Sequence, residues 1–397
     1  MRLDPAAPSL PLRCAHYLSQ VRLSAGGVVR AVLDLCATLA ARGHDVTLLT
    51  YDPADVPPGW IAGGFHSPRI TTLKPPGRFT KLLPSAAMVE AREALADREV
   101  LHLHGTWEPT NLQFARLARR IKLPYVVTVH GMLDDWCMAQ GAAKKRAYLA
   151  LAGRRFFERA AAVQCTAKAE LEQASKHVGA SRGVVLPYLV DLSPFETLPG
   201  PGVAEAAYAD VKTDLPKVLF LSRLHPKKGI EVLFEAAALL RDGGKQVRVL
   251  VAGSGDAAYE TGLRDFVRRR GLEATVKFLG LVTGVAKTSL FEAADVFVLP
   301  TSQENFGLVL PESMACRTPV ITTRGVDIWQ EVQSAGGVIV DATPAAVAAA
   351  IEQVLADPRR REIGERGRRW VFDTLGPDQL FARYESLYRE AAAARNQ

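Results

Sequence analysis

The chain has few cysteines, and their placement excludes more than their number does. Cys14, Cys36, Cys137, Cys165 and Cys316 are odd in count, widely spread and never arranged as C-x-x-C. That argues against a disulfide framework or a zinc site, and for a reducing, cytoplasmic compartment. Long apolar runs are also missing: no stretch approaches the roughly 20 residues a spanning helix needs. The opening segment MRLDPAAPSLPLRCAHYLS carries an Asp and repeated prolines but no continuous apolar core, so it makes a poor signal peptide. Aromatic residues are only 7% of the chain, and no basic patch interleaved with aromatics stands out. No D-x-D pair is present to hold a metal.

What is present is an ordinary globular composition, 48% hydrophobic and 23% charged. At 397 residues the chain exceeds one ordinary core, so two domains are expected. The net charge of +7 and pI near 9.2 suit nucleic acid, an anionic membrane face or a phosphorylated ligand. Because the charge is spread over many helices, no nucleic-acid partner is expected.

Short β-branched runs alternate with longer amphipathic stretches. Val28, Val32, Leu35 and Leu39 recur at helical spacing, Gly43 stops that helix, and DVTLLT follows as a strand. Then come VLHLHG, YVVTVHG, AVQCT and GVVLPYLVD, with helical segments between them. This alternation predicts a parallel sheet covered on both faces. It restarts at KVLFLSR and continues through VRVLVAG, VKFLG, DVFVLP, PVITT and GGVIVD. The expected fold class is therefore α/β, with two doubly wound, Rossmann-like domains facing across a cleft. We place the first at 1–197, joined by a terminal helix at 377–397. The Pro-, Gly- and Ala-rich stretch 198–216 reads as a linker, and 217–376 as the second domain.

Four motifs bear on chemistry. GSGDAA follows a strand and precedes a helix, like a dinucleotide fingerprint, but the next strand lacks the acid such a site uses for a ribose. A tight turn into a helix explains it better. In SAGGVVR, Gly26 and Gly27 precede a helix and would let a backbone approach a phosphate; a plain loop and helix start is the alternative. In SRLHPKKG, Arg223 and Lys228 flank a Pro-containing turn at the C-terminal end of a strand. A guanidinium fork and an ammonium converging there suit a diphosphate. In TSQENFGLVLPE, Glu304 lies in the loop and Glu312 about one turn into a helix expected to begin near Gly307 or Leu308. Pro311 is tolerated in that first turn, and the amides of Phe306, Gly307 and Leu308 would face an anion.

As a set, the Gly-Gly loop, the Arg-x4-Lys turn and Glu-x7-Glu around Asn-Phe-Gly resemble the retaining glycosyltransferases of family 4, with the GT-B fold. VTVHGM, VAGSG, FLG and PVITT extend the resemblance over nearly the whole chain. HGMLDDW followed by a basic helix is similar to members that build exopolysaccharide or other surface glycans. The resemblance implies a hexosyltransferase taking a nucleotide-diphosphate sugar as donor and a sugar or lipid-linked glycan as acceptor, with no cofactor and no metal. It implies that Gly26 and Gly27 admit the donor phosphates and that Arg223 and Lys228 hold the diphosphate. Glu304 would contact the donor sugar beside the amides of Asn305, Phe306, Gly307 and Leu308. Glu312 would hold the ribose hydroxyls, and His130 would face the reacting centre.

Three places depart from the family pattern. Arg317 stands where MACGTPV usually has glycine, LPYLVDL replaces the usual hinge, and HGTW (His104 to Trp107) has no assigned partner. A nucleotide-sugar epimerase on the same fold and a non-catalytic nucleotide-sugar-binding module are the rival functions. The basic residues Lys144, Lys145, Arg146, Arg154 and Arg155 suggest either peripheral contact with an anionic membrane or a solvated helix face.

Overall fold

The β-branched runs form strands and the amphipathic stretches between them form helices in the computed structural model, which describes residues 10–61, 66–178 and 182–393. The chain separates into two compact units, Met1–Val190 with Pro377–Gln397, and Asp191–Gly376.

The first unit holds seven strands: β1 Arg13–Tyr17, β2 Asp45–Thr50, β3 Arg69–Thr72, β4 Val100–His104, β5 Tyr125–Thr128, β6 Ala162–Cys165 and β7 Gly183–Val185. Their order is β3-β2-β1-β4-β5-β6-β7, and every pairing is parallel. β4, β5 and β6 are buried along their whole length, as near-continuous apolar runs in a sheet covered on both faces should be. The helix Gly27–Ala41 turns Val29, Val32, Leu35 and Leu39 inward, and the chain leaves it through Gly43 at φ +90°. Tyr17 at the end of β1 stacks on Phe114 with ring centroids 3.9 Å apart. The terminal helix Pro377–Ala393 belongs here because Tyr384 and Tyr388 are buried. The Tyr384 hydroxyl donates to the Pro187 carbonyl at 3.0 Å and accepts from Gln164 Nε2 at 2.7 Å.

The second unit holds six parallel strands: β8 Lys217–Leu221, β9 Arg248–Ala252, β10 Val276–Gly280, β11 Val296–Leu299, β12 Val320–Thr323 and β13 Val338–Val340. Their order is β10-β9-β8-β11-β12-β13. In both units the chain winds outward from one strand and then reverses on its other side, between β1 and β4 and between β8 and β11. Ligands of open parallel sheets bind at such reversals, beyond the strands' C-terminal ends.

The stretch 198–216 is folded, in contrast to the linker reading. Gly202–Ala207 forms a helix, the Gly200 amide donates to Glu292 (2.6 Å), the Ala204 amide donates to Ser289 Oγ (2.8 Å), and Ala204 is fully buried. Its small residues, which weaken the periodic signal, are what let it pack closely against the helix Gly284–Ala293. The change of unit falls earlier, between Val190 and Asp191, within the altered LPYLVDL segment. β3 is a short edge strand that the pattern did not single out.

The GSGDAA segment is the tight turn expected. A Cβ on Gly253 would stand 1.9 Å from the Ser222 carbonyl oxygen, and one on Gly255 2.1 Å from that of Leu224. Asp256 then caps the helix Ala257–Arg269. These glycines bring the end of β9 against the loop that carries Arg223.

Candidate active site

In the second unit the reversal point gathers Arg223 and Lys228 after β8 and Glu304 after β11. His225 to Gly229 makes a single 3-10 turn with Pro226 at its start and Gly229 at φ +69°. This loop is tied to the one after β11 through the Lys227 carbonyl, which accepts from the Ser302 amide (2.8 Å), Thr301 Oγ1 (2.8 Å) and Ser302 Oγ (3.1 Å). A Cβ on Gly229 would lie 2.0 Å from the Pro300 carbonyl oxygen, so only glycine lets the loops touch there.

Lys228 is buried, 7% exposed, and its ammonium is ion-paired with Glu304. Burial, followed by the like charges of Lys227 and Arg223, draws that ammonium down to about 7. The Glu304 carboxylate opposes this as the counter-charge. Arg223 is exposed and makes no hydrogen bond or ion pair among the described residues. The turn thus presents one free guanidinium beside one partly desolvated ammonium. Glu304 is held through its backbone, its amide donating to the Gly325 carbonyl (2.8 Å) and its carbonyl accepting from the Asp327 amide (3.0 Å).

The helix after Glu304 runs Val309–Ala315, beginning one residue later than expected, with Leu308 at its N-cap and Pro311 in its first turn. Gly307 is left-handed, φ +63°, where a Cβ would press on Glu304 Cγ at 3.1 Å. Phe306 is buried beneath it. Asn305 Nδ2 donates to Asp327 (3.1 Å), which fixes the loop's far side. Glu312 does not pair with Glu304: it accepts from Lys287 Nζ at 2.7 Å. Lys287, in the unremarkable helix Gly284–Ala293, carries no sequence signal and was missed.

Arg317 also has a physical account. It is left-handed, φ +64°, just past the helix end where glycine is the usual residue. Its carbonyl oxygen lies where a Cβ on Gly364 would fall, and its guanidinium pairs with Glu365 at 2.6 Å.

In the first unit Gly26 adopts φ +114° and ψ −163°, open only to glycine, and caps the helix that starts at Gly27. A Cβ there would meet nothing within 4 Å, so the turn faces open space. His130, φ +57°, follows β5 and is buried. Its Nδ1 bonds the Tyr188 hydroxyl at 2.7 Å and its Nε2 bonds His104 Nδ1 at 3.1 Å. His104 Nε2 in turn bonds His16 Nδ1 at 3.1 Å. Both ring nitrogens of His130 are therefore engaged inside this unit, and the ring anchors a strained turn.

Burial pushes His16 and His130 down to about 3, and His102 and His104 well below the usual range. All four are neutral, so each ring has one donor and one acceptor nitrogen. The His16–His104–His130 chain must then point its N–H groups one way throughout. His16 Nε2 at its end has no partner among the described residues. An unpaired lone pair costs less than an unpaired N–H, so the favoured direction runs from His16 Nδ1–H toward Tyr188. His16, His102 and His104 cluster closely enough to suggest a metal site. However, His102 already bonds Tyr388 (2.7 Å) and Thr128 (2.6 Å), and none of the three carries a counter-charge for a buried cation.

HGTW packs at the strand end. Trp107 Nε1 donates to the Met132 carbonyl (3.0 Å), and Tyr148 OH to that of Thr106 (3.0 Å). Among the basic residues, Lys145 is committed to the Cys137 carbonyl (2.5 Å) and lies over the Trp107 ring; Lys144, Arg146, Arg154 and Arg155 are exposed.

Two family models match the chain, one described as glycosyl transferase 4-like domain over residues 26–188 and one as glycosyl transferases group 1 over residues 207–370. A D-inositol 3-phosphate glycosyltransferase of Kineococcus radiotolerans is 29% identical over 379 residues, spanning 87% of this chain and 86% of its own. Sucrose-phosphate synthase from Thermosynechococcus elongatus superposes with a TM-score of 0.77 at 24% identity, over 96% of this chain and all of its own, 100%. Anabaena HepE in complex with UDP-glucose gives 0.74 at 18% identity, over 94% of this chain and 100% of its own. The two models between them take in both Rossmann-like units, and the chain belongs to the family 4, group 1 glycosyltransferases with the GT-B fold.

Proposed function

We propose that this glycosyltransferase is a retaining, metal-independent hexosyltransferase that moves a sugar from a nucleotide-diphosphate sugar to an acceptor hydroxyl, in polysaccharide or surface-glycan biosynthesis. The observation that carries the reading is the turn after β8, where Arg223 is unpaired and Lys228 is buried beside it. As the glycosidic bond breaks toward an oxocarbenium-like state, negative charge gathers on the leaving diphosphate. Preorganised cations aimed at that charge supply the main acceleration. Because two cations serve the diphosphate, the reaction needs no metal there. Glu304 and Glu312 accept hydroxyl hydrogen bonds, from the donor sugar and the ribose, beside the amides of Asn305 to Leu308. From the first unit, the Gly26–Gly27 turn serves the donor phosphates and the His130 turn the reacting centre. HepE is described in complex with UDP and glucose, which favours a uridine donor as the first to try.

The protein acts in the cytoplasm, in peripheral contact with an anionic membrane that carries a lipid-linked glycan acceptor. Leu151 and Trp136, 82% and 42% exposed, lie in the same segment as Lys144, Arg154 and Arg155. No helix among the described residues is long and apolar enough to cross a membrane.

Titration with UDP tests the donor site. Arg223→Ala should fold normally, since Arg223 is exposed and unpaired, yet lose UDP affinity and about 10²–10³ in turnover. Wild-type turnover in that variant would refute the assigned diphosphate site.

A further inference from the structure

Lys287 stands where helix energetics do not favour it. It closes the first turn of the helix Gly284–Ala293, the end at which the macrodipole disfavours a cation. Other polar groups of that helix serve the segment before β8. Ser289 Oγ donates to the Gly200 carbonyl (2.6 Å) and accepts from the Ala204 amide (2.8 Å), and Glu292 accepts from the Gly200 amide (2.6 Å). Lys287 instead reaches the helix Val309–Ala315, where its Nζ donates to Glu312 Oε1 at 2.7 Å. An ion pair between exposed side chains adds little stability. Here the two side chains are only 25% and 16% exposed, so both have given up most of their water.

The pair is complementary to a hydroxyl rather than to a charge. An ionised carboxylate only accepts and an ammonium only donates, whereas a hydroxyl does both. Glu312 Oε2 accepts no hydrogen bond among the described residues, and Lys287 has committed only one of its N–H groups. Acceptor and donor capacity are therefore left over side by side, held 2.7 Å apart by the bond that joins them. The arrangement is net neutral, which also suits a place next to a diphosphate. A lone carboxylate there would repel the phosphates, and the ammonium offsets that repulsion.

The geometry points to Lys287 as a second residue that reads the donor's ribose: the 2′- and 3′-hydroxyls donate to Glu312 and accept from Lys287. Glu312 alone would satisfy the hydroxyl hydrogens and leave their oxygens unserved; Lys287 supplies the missing donors. A 2′-deoxy nucleotide leaves the carboxylate and the ammonium each short of a partner in a site that has already lost most of its water. A site built to bond a hydroxyl rejects the analogue lacking it for that reason. The inference rests on the nucleotide-sugar reading and adds to it the residue that makes donor recognition ribose-specific.

Isothermal titration calorimetry of the full chain with UDP and 2′-deoxy-UDP tests it, with ADP, GDP and their 2′-deoxy forms run alongside. The wild type should bind at least one ribonucleotide about tenfold or more tightly than its deoxy form, the worth of a hydrogen bond to a charged group. Lys287→Met, which keeps the apolar stem, should lose about tenfold for that ribonucleotide. Its deoxy form should change less, so the preference shrinks toward parity. Lys287→Arg, which keeps the charge and the donors, should retain the preference. The inference is overturned if the wild type does not discriminate or if the ribose preference survives in Lys287→Met. It is equally overturned if both forms weaken by the same factor, which would leave Lys287 acting by charge alone. Failure of every nucleoside diphosphate to bind the wild type would instead strike the donor reading.

Discussion

Lys228 and Glu304 combine a structural role with a proposed chemical one, and substitutions can separate the two. Lys228 is 7% exposed as a residue and the Glu304 side chain 18%. Below about pH 7, where Lys228 carries its proton, Lys228→Met leaves a largely buried carboxylate without its counter-charge. Breaking a buried pair from one side costs about 3–5 kcal/mol, and the residual exposure of Glu304 puts this case near the lower end. Glu304→Gln should cost less above neutrality, because the Lys228 ammonium, already at about 7, can shed its proton. The double variant should return to within about 1 kcal/mol of the wild type, leaving a coupling energy of about 2 kcal/mol. It should nevertheless remain about 10²–10³ slower, because the cation aimed at the diphosphate is gone. The pH dependence has a definite sign. The folded value of about 7 lies below the ordinary 10.5, so across that window the unfolded chain holds a proton that the folded chain has released. Stability therefore rises with pH from about 7 toward 10.5 and is flat below it, and Lys228→Met removes the slope. Urea unfolding followed by circular dichroism, paired with turnover, reads both quantities. A Lys228→Met midpoint equal to wild type at pH 6, where Lys228 is charged, would refute the buried pair, and a stable, fully active double variant would refute the diphosphate role.

The neutral imidazole chain makes a pH prediction of the same sign in a lower window. His16 and His130 titrate at about 3 in the folded chain against 6.5 ordinarily, so between those values the unfolded chain binds protons that the folded one refuses. Stability should fall as the pH drops through that window, by up to about 1.4 kcal/mol per pH unit for each group. His16→Asn, which retains a donor near the Nδ1 position, should flatten the slope; an unchanged urea-midpoint profile would count against the buried chain. For the membrane proposal, the protein should co-sediment with anionic phosphatidylglycerol vesicles at low salt and release as salt rises, and Leu151→Asp should weaken it. Absence of binding at low salt would end that proposal.

Several elements could be read directly because their signal is local. DVTLLT becomes β2 at Asp45–Thr50, and VLHLHG, AVQCT and PVITT supply β4, β6 and β12. The stretch 198–216 was misread because its small residues give no amphipathic period, yet their size is what permits close packing. For the site, the spacing of Arg223 and Lys228 pointed to one loop after β8, and the structure places Lys228 in its 3-10 turn and Arg223 just before that turn. Pairing across elements lay beyond local pattern. Nothing near Lys287 announces Glu312, and nothing at Lys228 announces Glu304, because each contact joins residues far apart in the chain.

The sequence by itself determined the two α/β units, the glycines that its turns require and the residue types beside a candidate diphosphate site. Periodicity, φ freedom and charge are properties that a short segment carries alone. Tertiary structure decided which of those charges are free. Arg223 is left unpaired and Lys228 is buried against Glu304. Glu312 is held by Lys287, and His130 is turned into an imidazole chain. Burial and long-range pairing set the ionisation and availability of each group, and both arise only once the sheets bring distant loops to a common edge.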